Sequence, residues 1–325
     1  MKTREEKKQF LKRLCNDQGI IGALAIDQRG ALKKMIAKTK GSEADDNEII
    51  EFKQIVSSEL TKYASSILLD PEYGLPAADD RADNTGLLLA YEKTGYDAST
   101  PGRLPDLLSV WSVKRLKEAG ADACKFLLYY DVDEPEAINH QKQAFVERIG
   151  SECRAENLPF FLELVSYDAD IADATSKAYA LKKPHKVNTM MKEFSDPRYG
   201  VDVLKVEVPV NMNFVEGYAT DEVVYTRAEA AKYFQEQAEA THLPFIFLSA
   251  GVKSALFQDT LRFAKESGST FNGVLCGRAT WTDGVARYVS EGKEAAITWM
   301  NEEGRQNIEA LNEVLAETAT PVTFE

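Results

Sequence analysis

The chain has 325 residues, 44% of them hydrophobic and 10% aromatic, which is enough to bury the core of one large domain or two ordinary ones. Its 39 basic and 52 acidic residues give a formal net charge of −13. This charge argues against binding nucleic acid or an anionic membrane through the overall field, so an anionic substrate would need a local basic pocket.

The amino terminus, MKTREEKKQFLKRLCNDQG, contains no apolar signal-peptide core. No stretch of the chain approaches about eighteen apolar residues, the length that a membrane-spanning helix needs. We therefore expect a cytoplasmic protein that neither enters nor crosses a membrane.

The cysteine and histidine spacings do not match metal sites. The four cysteines have no CxxC spacing, so we expect reduced, buried thiols; they are Cys15, Cys124, Cys153 and Cys276. The three histidines are too far apart along the chain for two to share a helix face or a strand; they are His140, His185 and His242. Because a zinc enzyme usually gathers two or three imidazoles, we predict no metal, and we expect no other cofactor.

A helical segment comes first, and eight short apolar runs follow it as predicted strands. In chain order the runs are IIGALAID (20–27), SSILLD (65–70), GLLLAYE (86–92), ACKFLLYYD (123–131), PFFLELVSY (159–167), VDVLKVEVPV (201–210), PFIFLSAG (244–251) and FNGVLCGRA (271–279). Amphipathic stretches such as TRAEAAKYFQEQAEATH separate most of them, and further helices are predicted over 284–317. Apolar strands alternating with helices are typical of a parallel sheet covered on both sides.

Eight such units in about 250 residues predict an α/β fold, a (β/α)8 TIM barrel with an added N-terminal helix and C-terminal helices. No repeat or linker divides the chain, so we expect a single domain over 1–325. The third unit is the least regular, because the interval between Asp70 and Gly86 is short for a full helix. A doubly wound open sheet is the alternative, but no GxGxxG motif follows the first strand.

Unusual polar residues fall in or at the ends of the predicted strands, and the carboxyl ends of the strands form the active-site end of a TIM barrel. Lys125, Glu163 and Lys205 lie in the fourth, fifth and sixth strands. Since alternate residues of a strand face the interior of a barrel, the three side chains can share one cavity. A desolvated lysine amine beside a second ammonium is a nucleophile toward carbonyl groups, and a carboxylate can carry the protons that such chemistry requires.

Each of these residues also has a purely structural interpretation. Lys125 could extend along apolar surface to solvent, and Glu163 could merely neutralise a lysine. Asp27 could cap the helix that follows it. Glu207 has the same parity as Lys205 and competes with Glu163 for the proton-transfer role. However, three ionisable groups in three apolar strands need mutual compensation, and such clusters are enriched at active sites.

Two motifs near the carboxyl terminus suggest a phosphate site. LSAGV at the seventh strand and CGRA at the eighth each place small residues and a turn before a helix, so backbone N–H groups can face an anion. The loops after these strands are the usual phosphate site of a TIM barrel, and Arg278 adds a bidentate partner. An ordinary strand-to-helix turn is the alternative for either motif alone.

The sequence resembles the class I, lysine-dependent tagatose-bisphosphate aldolase family over nearly its whole length. The motifs that carry the resemblance are GALAIDQRGALKKM, SSILLDPEYG, GLLLAYEKTGYD, DACKFLLYYD, FFLELVSYD, GVDVLKVEVPVN, LSAGV and GVLCGRATW. The resemblance implies a TIM barrel that reversibly cleaves D-tagatose 1,6-bisphosphate to dihydroxyacetone phosphate and D-glyceraldehyde 3-phosphate, in the tagatose 6-phosphate route of lactose and galactose breakdown. It also implies tolerance of epimeric ketohexose bisphosphates, including fructose 1,6-bisphosphate, and a homodimer.

The resemblance further implies a role for each matching residue. Lys205 would form the Schiff base, Glu163 would be the acid/base, Lys125 would tune the amine, and Asp27 with Gln28 would orient substrate hydroxyls. The phosphate of the dihydroxyacetone half would be held by Ser249, Ala250, Gly251, Gly277 and Arg278. For the second phosphate we predict Arg29, with a surface position at a helix start as the alternative.

Two rival functions stay open at this point. A metal-assisted isomerase or aldolase would use Asp27, Asp70 and Glu163 as ligands and would be sensitive to EDTA. A phosphosugar-binding regulatory protein would keep the pocket without the chemistry. The intact Lys205 and Glu163 argue against that second rival, although an active enzyme could carry a regulatory function as well.

Overall fold

The computed structural model describes residues 2–93, 100–220, 222–249 and 251–323. All eight predicted strands are present in these ranges as β1 (Ile21–Ala25), β2 (Ser66–Leu69), β3 (Gly86–Ala90), β4 (Ala123–Tyr130), β5 (Phe160–Ser166), β6 (Val203–Val206), β7 (Phe245–Leu248) and β8 (Gly273–Cys276). Neighbouring strands pair in parallel in chain order, and β8 pairs with β1. The closed sheet confirms the predicted (β/α)8 TIM barrel.

Helices cover the outside of the barrel. The helix α1 (Lys2–Arg13) precedes β1, as the sequence predicts. Between the strands lie α2 (Gly30–Lys40), α3 (Asp46–Leu60), α4 (Leu75–Asp79), α5 (Val113–Glu118), α6 (Glu136–Glu156), α7 (Lys177–Phe194), α8 (Arg227–Glu239) and α9 (Ser254–Glu266). After β8 come α10 (Arg278–Trp281), α11 (Gly284–Glu291), α12 (Lys293–Trp299), a π-helical turn (Met300–Gly304) and α13 (Arg305–Thr318). The five-residue α4 explains why the third unit is so short in sequence.

Local sequence signals fix where two of these helices begin. At α3 the Asp45 carboxylate accepts a hydrogen bond from the backbone of Asn47, and the Glu48 side chain accepts one from the backbone of Asp45. Thr226 and Glu229 form the same reciprocal pair at α8. Each capping box satisfies backbone donors that a helix start leaves without partners.

The inward faces of the strands form two layers. The layer nearer the amino-terminal end is apolar and includes Ala123, Phe161 and Val203 together with Ala23, Leu68, Leu88, Ile246 and Leu275. Two residues further along β4, β5 and β6, the same faces carry Lys125, Glu163 and Lys205. The apolar layer therefore closes one end of the bore, and the charged layer lies at the other end.

The strand β6 is shorter than the predicted run 201–210. It pairs with its neighbours only as far as Val206, so Glu207 lies beyond the strand. Pro209 follows shortly after and has no N–H to donate to a ladder. Side chains alternate between the two faces of a sheet only within a strand. The sequence position of Glu207 therefore does not place it on the same face as Lys205.

The cysteines within the described residues are all free. Cys124, Cys153 and Cys276 are buried, as expected, whereas Cys15 is only half-buried because it follows the end of α1. None of the helices in the described ranges combines the length and apolar character needed to cross a membrane.

A fully buried ion pair joins α3 to the carboxyl end of β2. The Lys53 ammonium contacts the Asp70 carboxylate and donates to the carbonyl oxygen of Ile26 at 2.7 Å. The second carboxylate oxygen of Asp70 accepts from the backbone N–H of Tyr73 at 2.8 Å. The pair thus ties together the ends of β1 and β2, directly before Asp27.

We expect Lys53→Met to lower the free energy of unfolding by about 3–5 kcal/mol, because the Asp70 carboxylate would be left buried without its cation. Lys232→Met is the matched control, since this lysine is on the surface of α8 with 73% of its side chain exposed. The control should change stability by less than about 0.5 kcal/mol. Denaturant unfolding measures both values, and a Lys53→Met protein as stable as the control would contradict the expectation.

Candidate active site

A cavity of about 420 Å³ opens at the carboxyl ends of the strands. This volume lies within the range of roughly 300–1,000 Å³ that is usual for small-molecule sites. Ten of the eleven predicted site residues line it, namely Asp27, Gln28, Arg29, Lys125, Glu163, Lys205, Ser249, Gly251, Gly277 and Arg278. The eleventh, Ala250, lies outside the described residues.

Lys125 is surrounded by carboxylates. Its ammonium lies 3.0 Å from Oδ2 of Asp27, 2.6 Å from Oε1 of Glu92 and 2.8 Å from Oε2 of Glu163. Burial by itself would lower the pKa of Lys125, but the three carboxylates outweigh it and raise the pKa well above its usual value. Lys125 is therefore a fixed cation, and the interpretation that it extends to solvent is wrong, because only 2% of its side chain is exposed.

Glu163 bridges the two lysines of the bore. Its Oε1 lies 2.7 Å from the ammonium of Lys205, while its Oε2 contacts Lys125. The strand register places Glu163 directly opposite Lys205 on adjacent strands. Burial raises the pKa of Glu163, yet the two ammonium groups reverse this effect and hold the pKa below its usual value. The carboxylate is thus ionised and held between two cations.

The Asp27 side chain lines the cavity and does not cap the following helix. The N-cap residue of α2 is Arg29, and no side chain caps that helix. Burial raises the pKa of Asp27, but the charges of Lys125 and Lys205 lower it further than burial raises it. Asp27 is therefore a second ionised carboxylate that contacts the Lys125 ammonium.

Glu92 is a site residue that the sequence reasoning missed. It follows β3, is 3% exposed and lines the cavity. Its Oε1 binds Lys125, and its Oε2 accepts from the backbone N–H of Leu127 at 3.1 Å. The signal was available, because GLLLAYE ends an apolar run with a carboxylate just as IIGALAID does with Asp27.

Arg29 is almost fully buried and lines the cavity, so the surface alternative is wrong. Its Nη1 lies 2.7 Å from Oε2 of Glu72, and its Nη2 donates to the backbone oxygen of Glu92 at 2.9 Å. Within the described part of the chain, its Nε and the neighbouring Oε1 of Gln28 are buried without a hydrogen-bond partner. Both polar atoms are therefore buried without a compensating hydrogen bond from these residues.

The loops after β7 and β8 meet at the cavity. Gly251 has a positive φ of 75°, and a Cβ at this position would lie 3.1 Å from Nη2 of Arg278. Glycine thus leaves room for the guanidinium beside Ser249 and Gly277, which also line the cavity. No carboxylate of the described residues forms an ion pair with Arg278, so its charge is available to an anion.

The three carboxylates of the metal alternative are not assembled at one point. Asp27 and Glu163 both contact the Lys125 ammonium, whereas Asp70 contacts Lys53 and does not line the cavity. Across the described ranges, no group of three or more His, Cys, Asp or Glu residues is arranged to hold a metal ion.

Solved aldolases share this fold at low sequence identity. A fructose-bisphosphate aldolase of Plasmodium falciparum matches with a TM-score of 0.72 and 16% identity, covering 98% of this chain and 96% of its own. An archaeal fructose 1,6-bisphosphate aldolase matches with a TM-score of 0.57 and 15% identity, covering 94% and 99%. At such identities the likeness establishes the fold alone.

Sequence relatives are much more similar. A tagatose 1,6-diphosphate aldolase 2 of Enterococcus faecalis is 70% identical over 314 residues, which cover 97% of this chain and 95% of the relative. A tagatose 1,6-diphosphate aldolase of Staphylococcus epidermidis is 60% identical over 316 residues, 97% of each chain. The family model described as DeoC/LacD family aldolase matches residues 21–283. The chain therefore belongs to the DeoC/LacD aldolase family, whose members are carbon–carbon lyases.

Proposed function

We propose that the protein is a class I aldolase that reversibly cleaves D-tagatose 1,6-bisphosphate to dihydroxyacetone phosphate and D-glyceraldehyde 3-phosphate through a Schiff base on Lys205. The observation that carries the proposal is the Glu163 carboxylate lying between Lys205 and Lys125 in the bore of the barrel. The substrate is supported by full-length relatives of 60–70% identity that are named tagatose 1,6-diphosphate aldolases.

The first steps make the iminium. Lys205 gives a proton to Glu163, whose Oε1 is 2.7 Å away. The Lys205 nitrogen then attacks C2 of the open-chain ketose to form a carbinolamine. Glu163 returns a proton to the departing hydroxyl, which leaves as water, and the C=N bond forms.

The iminium is the electron sink for the cleavage. When the C3–C4 bond breaks, its electron pair moves to C3 and is delocalised into the iminium, which becomes an enamine. Glu163 takes the proton of the C4 hydroxyl, and glyceraldehyde 3-phosphate leaves as the aldehyde. Protonation of C3 and addition of water then release dihydroxyacetone phosphate and restore the Lys205 amine.

The other charged groups orient this chemistry. Lys125 holds the Glu163 carboxylate, while Glu92 and Asp27 hold Lys125 in place. Gln28 also lines the cavity, and its side-chain amide can hydrogen-bond a substrate hydroxyl.

We assign the two phosphates to the two arginines that line the cavity. Arg278 supplies the charge for the phosphate of the dihydroxyacetone half, with Ser249, Gly251 and Gly277 beside it. Ala250 stays a prediction from the sequence motif. For the second phosphate, Arg29 supplies the charge, and Glu72 and the Glu92 carbonyl hold its terminal nitrogens in place.

Family resemblance supports the remaining features that we propose. These are cleavage of epimeric ketohexose bisphosphates including fructose 1,6-bisphosphate, a place in the tagatose 6-phosphate pathway, a single catalytic domain over 1–325 and a homodimer. Cytoplasmic location is consistent with a substrate that carries two phosphates. Light scattering on the purified protein measures the oligomeric state directly.

Borohydride reduction after incubation with dihydroxyacetone phosphate should leave a covalent adduct on Lys205, located by peptide mass spectrometry. Lys205→Met should give no adduct, because the nucleophile is gone, whereas Lys125→Met should still give one at Lys205, formed more slowly. An adduct on Lys125 in the native protein would exchange the roles of the two lysines. Active protein without any adduct would eliminate the Schiff-base mechanism.

Glu163→Gln should lower kcat by roughly two to four orders of magnitude and leave KM for the ketose bisphosphate within a few fold, since the phosphate contacts persist. A coupled assay for glyceraldehyde 3-phosphate gives both constants. The exposed Glu136, whose side chain is 83% accessible, provides the matched control Glu136→Gln, which should behave as the native enzyme. Unchanged turnover in Glu163→Gln would move the acid/base role to Glu207 or to water.

Arg278→Ala should raise KM for the bisphosphate by about tenfold to a hundredfold, because charge-assisted hydrogen bonds contribute roughly 1.5–3 kcal/mol. Arg262→Ala on the surface of α9 removes the same charge elsewhere and should leave KM unchanged. An Arg278→Ala enzyme with native KM would show that the phosphate binds at another position.

A further inference from the structure

The alignment of Glu163 with Lys205 depends on a short stretch of sheet. These residues are direct partners on β5 and β6, but the pairing of the two strands ends one residue later, at Leu164 and Val206. The strand β5 continues to Ser166, where it remains paired only with β4 on its other side. Beyond Val206, backbone pairing no longer joins the two strands that carry the reacting groups.

The side chain of Glu207 spans this gap. Its Oε2 accepts two hydrogen bonds from Ser166, one from the backbone N–H at 2.7 Å and one from the hydroxyl at 2.5 Å. Because the single hydroxyl proton of Ser166 goes to Glu207, the Tyr179 hydroxyl at 2.6 Å is the donor to Ser166 Oγ. A chain of hydrogen bonds therefore runs from α7 through the end of β5 to the residue that follows β6.

Glu207 is also held from two further directions. The side chain of Gln237, wholly buried in α8, donates to the backbone oxygen of Glu207 at 2.8 Å. The ammonium of Lys183 in α7 lies 3.3 Å from Oε1 and offsets the negative charge. With Glu207 itself only 8% exposed, both its backbone and its carboxylate are fixed by the surrounding elements.

We propose that Glu207 is a positioning residue that clamps the ends of β5 and β6 through Ser166 and so keeps the Glu163 carboxylate aligned with the Lys205 amine. The inference rests on the proposed Schiff-base function. Glu207 lines the cavity, but its Oε2 is committed to Ser166 and its Oε1 faces Lys183, whereas Glu163 contacts Lys205 directly. Its effect on the reaction is therefore exerted through the strand ends.

The expected kinetic signature is a loss of kcat with little change in KM. Glu207→Ala should lower kcat by about tenfold to a hundredfold, the size expected when reacting groups shift by up to an ångström. The phosphate-binding residues belong to other loops, so KM should stay within about twofold. Glu207→Gln should recover most of the activity, since an amide oxygen accepts the same two bonds, although about half as strongly.

Ser166→Ala tests the other partner of the clamp. It also provides the test if the Glu207→Ala protein does not fold. It removes the hydroxyl donor but keeps the backbone N–H, so we expect a smaller loss of kcat than in Glu207→Ala. The double variant should be no worse than Glu207→Ala alone, because both changes remove one shared contact. Glu136→Ala on the surface of α6 is the control.

Two readouts separate this inference from the proposed function. The first is amide hydrogen exchange of the segment around Ser166, which should be faster in Glu207→Ala whatever reaction the protein catalyses. The second is the rate of adduct formation on Lys205, which depends on how well the Glu163 carboxylate is aligned with the Lys205 amine. Native kcat in Glu207→Ala, or unaltered amide exchange, would overturn the clamp. A Glu207→Gln enzyme as slow as Glu207→Ala would instead make Glu207 a proton carrier. Absence of any adduct in the native protein would defeat the Schiff-base function, and amide exchange would still decide whether the clamp exists.

Discussion

The structure depends on one carboxylate held between two ammonium groups inside a barrel. Glu163 contacts Lys125 on one side and Lys205 on the other. None of the three side chains is more than 11% exposed. Buried charges are costly unless they are paired and hydrogen-bonded, which explains why Asp27 and Glu92 complete the group around Lys125. Removing Lys125 would leave three buried carboxylates without the cation that they share.

The barrel supplies the geometry that this group needs. An apolar layer closes the bore below, and the register of β5 on β6 sets Glu163 opposite Lys205. Outside the strands, the buried pair of Lys53 and Asp70 anchors the carbonyl of Ile26, the residue before Asp27. The charged layer is thus positioned from both the sheet and the surrounding helices.

Apolar runs and their spacing were sufficient to predict the fold, because each buried parallel strand must be a short hydrophobic segment. The same logic predicted most of the cavity, since polar residues in such strands are conspicuous. The sequence pattern did not predict residues whose side-chain direction depends on tertiary contacts. Glu92 was overlooked after β3, and Glu207 was assigned by strand parity although β6 ends at Val206. Pro209, which has no N–H to donate, was the local sign that the predicted run 201–210 is not a strand throughout.

The contacts also support Lys205, rather than Lys125, as the proposed nucleophile. A lysine reacts with a carbonyl only after losing its proton, and each neighbouring carboxylate opposes that loss. Lys125 faces three carboxylates, whereas among the described residues Lys205 forms an ion pair with Glu163 alone. That one carboxylate is also the group that can accept the proton. In the proposed reaction the two lysines thereby take different roles, and the difference comes from the number of anions around each.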